Sequence, residues 1–206
     1  MTRLPFQIVV CTVWLYWFSV LVMIARSRLK LGARAGAVPR STRERWMWLA
    51  WAPTIVAWQV LPDLAYTSSS PALRAGDWAV AHPNHLVNWL AVAAAAAAYV
   101  LTVPCWLAMG SNWSLAIVPG KQTSLVTKGF YSKVRHPIYA LGLLLMAATV
   151  VVAPSPAMML AAASHCTLVM LKAGTEERFL TEKHGESYLE YCQRTSRFVP
   201  WPAKAA

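Results

Sequence analysis

From Phe6 to Ala25 the chain runs twenty residues without a charged side chain. An α-helix of roughly 20 residues crosses the ~30 Å of bilayer hydrocarbon, and in lipid the backbone has to satisfy its own hydrogen bonds. Such a run is therefore constrained to a helix. Only Arg3 precedes it, and Trp14, Tyr16, Trp17 and Phe18 fill it, which is unlike a cleaved leader with its basic start and small-residue end. It is expected to remain in the mature protein. Hydrophobic residues make up 57% of the chain and charged residues 13%, with a mean hydropathy of +0.42, so lipid is the expected solvent for most of it.

Two further apolar runs follow, Trp46 to Tyr66 and His85 to Met109. The first tolerates Pro53 and carries Gln59 and Asp63, the latter near an end where it reaches water or head groups. The second contains the alanine run Ala93 to Ala98, whose lack of bulk lets neighbouring helices approach closely. The stretch Ile138 to Leu171 is interrupted by Pro154 and Pro156. Each half is about 22–25 Å long at 1.5 Å per residue, which predicts two slightly short helices joined by a proline turn. Beyond Lys172 the chain becomes charged, and Thr181 to Gln193 reads as an amphipathic helix on the surface. The expected fold is all-α and integral to the membrane, with about five spans, the last two a hairpin. A single domain over 1–206 is expected, with three N-terminal spans (6–109) and a C-terminal half (110–200) that carries the chemistry.

The net charge of +11 does not point to nucleic acid, because the basic residues sit in short segments between apolar runs. Seventeen of the nineteen lysines and arginines lie in 26–45, in 110–137 and after Leu171, which places those segments in the cytoplasm and the N-terminus outside. Cys11, Cys105, Cys166 and Cys192 are scattered and read as packing residues. No metal is expected, since His82, His85 and His165 have no further ligand at coordinating spacing.

The polar chemistry is concentrated in two places. Arg135-His136-Pro137 puts a histidine next to the N-cap of the fourth span, since proline favours the first helical position. The helix start, with its free N–H groups, suits a carboxylate or phosphate. The same residues also suit a basic interface anchor, with Tyr131 and Tyr139 as belt aromatics. Glu176 and Glu177 follow the fifth span; they could accept hydrogen bonds from an ammonium or hydroxyl, or simply favour the first turn of the next helix. A hairpin returns both of its ends to one place, so His136 and Glu176 come within reach of one ligand.

Ser124-Leu125-Val126-Thr127-Lys128-Gly129-Phe130-Tyr131, Arg135-His136-Pro137-Ile138-Tyr139, Glu176-Glu177, His184-Gly185-Glu186-Ser187-Tyr188-Leu189-Glu190-Tyr191 and Arg197-Phe198-Val199-Pro200 occur in that order. Over residues 111–200 this pattern resembles the C-terminal half of isoprenylcysteine carboxyl methyltransferases and the related phospholipid N-methyltransferases. The resemblance implies an enzyme that uses S-adenosylmethionine, with a cofactor pocket open to the cytoplasm and a lipophilic or prenylated substrate arriving from the membrane lipid. It assigns cofactor contacts to Thr123, Ser124, Leu125, Val126 and Tyr131, to His136, Pro137, Ile138 and Tyr139, and to Glu176.

The family's substrate-side arginine falls on Lys172, which keeps the charge but lacks the planar fork that grips a carboxylate twice. Lys172 is thus either a substrate contact or a helix-end residue snorkelling to the interface. Ala173-Gly174-Thr175 ahead of the acidic pair, and His184 in place of an aromatic, are further departures compatible with a changed substrate. Carboxyl methylation of an isoprenylcysteine-like acceptor is the leading expectation; phospholipid N-methylation and small-thiol S-methylation share the cofactor site. Nicotinamide-dependent sterol reductases share part of the pattern but are typically much larger, and a non-enzymatic membrane scaffold is the remaining alternative. A carboxylate or thiolate acceptor needs no base; for an amine or thiol, His136 or Glu177 is the candidate by position.

Overall fold

The computed structural model describes residues 3–31, 42–114, 116 and 124–200. Among these, seven α-helices follow one another: α1 (Leu4–Leu31), α2 (Thr42–Thr67), α3 (Asp77–Ala81), α4 (Leu86–Met109), α5 (Pro137–Val152), α6 (Pro156–His184) and α7 (Glu186–Arg194). Leu4–Leu29, Leu86–Asn112 and Pro156–His184 are long and apolar enough to cross a membrane. The α2 helix is less apolar, containing Pro53, Pro62 and an acidic first turn, and α5 has only 16 residues.

The core forms where small residues admit close approach. Ala91, Ala95 and Ala98 lie on one face of α4 and are buried against α1 and α5. Val9, Val13, Tyr16 and Val20 of α1 and Leu145, Met146, Ala148 and Val152 of α5 complete this layer. Trp58 joins it from α2, and its indole donates to Thr149 Oγ1 at 3.0 Å. Outward faces carry Trp14, Phe18, Leu21, Leu90, Leu107 and Leu160, the arrangement of a helix bundle that faces lipid. Cys105 packs inside, whereas Cys11 and Cys166 are exposed, so the packing role expected of all four cysteines does not extend to those two.

The proline turn forms as the sequence predicts. Helix α5 ends at Val152, Ser155 caps α6 by accepting from Met158 N at 3.2 Å, and Pro156 takes the first helical position. The hairpin tip is covered by the connection between α2 and α4: Gly76 N donates to Pro154 O, and Ala157 N to Ala72 O. Ala65, Ala75, Ala79 and Ala153 pack together there, which explains how a helix as short as α5 ends inside the bundle.

Two expectations are corrected. Helix α6 does not stop near Leu171 but continues for 29 residues to His184, about 43 Å at 1.5 Å per residue. Nothing in Lys172–His184 breaks a helix until Gly185, whose φ of 56° ends it. The surface helix therefore begins at Glu186 rather than Thr181, and it turns Tyr188 and Tyr191 inward. Consequently Glu176 and Glu177 lie well inside α6, so they are not first-turn acids of a following helix.

Candidate functional site

The protruding end of α6 stands beside the start of α5, and the two share a cavity of about 190 Å³ with the end of α4 and with α7. Ser124, Leu125, Val126, Tyr131, His136, Pro137, Ile138, Tyr139 and Glu176 all line it. Thr123 lies outside the described residues. Lys172 is not among the residues on the cavity wall.

His136 holds the position before α5 in a non-helical conformation, and Pro137 opens the helix. The helical ladder starts with Ala140 N to His136 O at 3.0 Å, so the N–H groups of Ile138 and Tyr139 precede it. The positive end of α5 thus faces the cavity. His136 itself is only 7% exposed and stacks on Tyr139 with ring centroids 5.5 Å apart.

The two adjacent glutamates do different things. Glu177 Oε1 receives Arg135 Nε at 3.0 Å and Arg197 Nε at 3.1 Å, with His136 Nε2 at 3.2 Å; Arg197 also donates to Oε2. Its acceptor capacity is used within the protein. Arg135 further donates to the carbonyls of Cys192 and Thr195. Arg135 N and His136 N bond to Ser196 O at 2.8 Å and Arg197 O at 3.0 Å, and Val134 pairs with Ser196 in a parallel bridge. Glu177 is therefore the centre of a clamp that fastens the C-terminal segment alongside His136.

Glu176, by contrast, lines the cavity. Tyr139 donates its hydroxyl to Glu176 Oε1 at 2.7 Å, and His136 Nδ1 is 3.7 Å from Oε2. Lys172 Nζ lies 3.5 Å from Oε1 but is held more closely by Glu44 Oε1 of α2, at 2.7 Å, with both side chains 2% exposed. This corrects the snorkelling reading of Lys172: its ammonium is turned into the protein, onto a partner from the start of α2.

Burial pushes the Tyr131 phenol well above its ordinary range and that of Tyr191 up to about 12, so both remain hydrogen-bond donors at neutral pH. Tyr191 donates to Tyr131 O at 2.6 Å, tying α7 over the cavity. The hydrogen bond to Glu177 raises Arg197 further above the usual guanidinium value.

Sequence reasoning missed Glu44. For Glu44 a signal existed, since it is the one acidic residue in the basic 26–45 segment. The chemistry of the cavity suits a ligand with an amino-acid end and a flat ring. A carboxylate can meet the start of α5, and Glu176 can accept from an ammonium or hydroxyl. Met109, Trp113, Leu125, Val126 and Phe179 supply an apolar wall.

Residues 86–187, from α4 to the first residues of α7, match the family model described as phospholipid methyltransferase. No curated protein matches the chain.

Proposed function

Because residues 86–187 belong to the phospholipid methyltransferase family, we propose that this membrane protein transfers a methyl group from S-adenosylmethionine to a lipophilic acceptor dissolved in the bilayer. The observation that carries the proposal is the meeting of His136, Tyr139 and Glu176 on one cavity wall from positions some forty residues apart. In this reading the start of α5, with His136, Pro137, Ile138 and Tyr139, holds the carboxylate end of the cofactor. Glu176 accepts from its ammonium or ribose, and the Thr123–Val126 segment with Tyr131 borders the remainder.

The sulfonium of the bound cofactor supplies an activated methyl group and a neutral thioether as leaving group. What the protein adds is alignment of the acceptor with that bond. Where the acceptor carries a proton, His136 is placed to take it: with Nε2–H directed at Glu177, Nδ1 carries the lone pair. Glu177 is unsuited to that role because two guanidiniums hold it.

Carboxyl methylation of an isoprenylcysteine-like acceptor would use Lys172 as the carboxylate contact, and would require its contact with Glu44 to open. A thiol or phospholipid amine acceptor requires no such opening, and the 2.7 Å pair favours that second reading. The proposal treats 1–206 as one unit with five spans, its N-terminus outside and the cofactor site and C-terminus cytoplasmic, following the distribution of basic residues. The test is transfer of radiolabelled methyl from S-adenosylmethionine by protein in nanodiscs, offered an S-prenylcysteine, an alkyl thiol and phosphatidylethanolamine in turn. Transfer to one acceptor that is lost in His136→Ala supports the proposal. Cofactor binding with no transfer to any acceptor identifies a scaffold instead.

A further inference from the structure

Lys172 stands between two carboxylates. Its Nζ is 2.7 Å from Glu44 Oε1 and 3.5 Å from Glu176 Oε1, so Glu44 takes the strong hydrogen bond and Glu176 has the ammonium only as a near neighbour. The Lys172 and Glu44 side chains are buried, whereas Glu176 is 25% exposed and lines the cavity. Among the described residues, Tyr139 supplies the hydrogen bond to Glu176, at Oε1, and His136 Nδ1 stands 3.7 Å from Oε2. Two carboxylates and one ammonium leave one net negative charge, and its open end is Glu176.

Nothing within α6 keeps Lys172 off Glu176. The two are four residues apart on that helix, the spacing at which a lysine and a glutamate meet on one helical face. A movement of Nζ by less than about 1 Å would turn the 3.5 Å contact into a charge-assisted hydrogen bond of ordinary length. That pair would be neutral, and the cavity would lose its negative charge. What holds the ammonium back is Glu44, which reaches it from the first turn of α2, outside the stretch 86–187 that matches the family model.

Resting on the methyltransferase reading, we propose that Glu44 is a positioning residue of the cofactor site: by holding Lys172 it leaves Glu176 a net negative charge with which to bind the ammonium of S-adenosylmethionine. Glu44 acts through Lys172 and touches no ligand itself. In Glu44→Gln the one carboxylate left to Lys172 in this trio is Glu176, an incomplete replacement, since Glu176 is partly exposed and already accepts from Tyr139. The cofactor ammonium then meets a neutral pair instead of an anion. In Glu44→Gln with Lys172→Met the cation is gone as well, and Glu176 again carries one uncompensated charge. Two variants that share the loss of Glu44 therefore differ in what they present to the ligand.

The test is isothermal titration of the full chain in detergent with S-adenosylhomocysteine and with its deamino analogue, in which hydrogen replaces the ammonium. The quantity read is the ratio of the two dissociation constants in one folded sample, which a loss of stability alone does not move. Wild type is expected to prefer S-adenosylhomocysteine by about tenfold or more, the worth of one charge-assisted contact. Glu44→Gln should cut that preference by about fivefold or more, and the double variant should return it to within about twofold of wild type. Equal binding of the two ligands in wild type, an unchanged preference in Glu44→Gln, or a preference lost in the double variant overturns the proposal; the first and third are read on proteins with no stranded charge. No binding of S-adenosylhomocysteine to folded wild-type protein removes the methyltransferase reading and this proposal together, whereas saturable binding with any of the three contrary outcomes removes only this proposal.

Discussion

Glu44 and Lys172, 128 residues apart in the chain, meet at 2.7 Å with both side chains 2% exposed. The contact joins the first turn of α2 to the middle of α6 and places a cation 3.5 Å behind Glu176. Taking two charges out of water is expensive, and removing one partner strands the other.

Glu44→Gln is accordingly expected to destabilise the protein by about 3–5 kcal/mol, and Glu44→Gln with Lys172→Met to recover most of that loss. Thermal unfolding in detergent, followed by circular dichroism, checks both. A double variant as unstable as the single one would mean that the ion pair is not what the site depends on.

The Glu177 clamp makes a ranked prediction. Glu177→Ala leaves Arg135, Arg197 and His136 without their common partner, whereas Arg197→Ala removes only one, partly exposed, cation. With charge-assisted hydrogen bonds contributing about 1.5–3 kcal/mol each, the C-terminal segment should be released more completely in Glu177→Ala. Trypsin cleavage after Arg194 reads this out: it should be fastest in Glu177→Ala, intermediate in Arg197→Ala and slowest in wild type.

Two glycines of the α6–α7 region should respond with opposite signs. At Gly185 an added Cβ meets no atom within 4 Å, so the cost of alanine comes from its φ of 56° and should be about 1–3 kcal/mol. Gly174 is equally open but helical, and alanine there should stabilise by about 0.5–1 kcal/mol. Paired melting curves decide it, and a destabilising Gly174→Ala would contradict the continuous α6.

The fully buried Ala95 sits where α4 meets α1 and α5. Ala95→Leu should cost about 1–3 kcal/mol or more through overpacking, while the same change at the exposed neighbour Ala96 should be near neutral. Unfolding measurements on the two variants separate a packed face from a merely apolar one.

The meeting of His136 and Glu176 on one cavity wall was legible because both sit where the backbone itself is constrained. His136 precedes a proline that opens a helix, and Pro154 and Pro156 force a turn that returns Glu176 to it. The extension of α6 was not legible, because a change from apolar to charged side chains alters the solvent a helix prefers without ending the helix; only Gly185 does that. The Glu44–Lys172 contact was hidden by its long separation, and hydropathy cannot tell a snorkelling lysine from a paired one. The shortness of α5 was legible, but its compensation by the 68–81 connection depends on backbone contacts that no periodicity encodes.

The central claim, that His136 and Glu176 build one site for S-adenosylmethionine at the start of α5, is tested most directly by isothermal titration of the detergent-purified protein with that cofactor and with S-adenosylhomocysteine. Saturable binding of both in the wild type, weakened at least tenfold in His136→Ala and in Glu176→Ala, is the predicted result. No binding in folded wild-type protein, or binding unchanged in both variants, would contradict it.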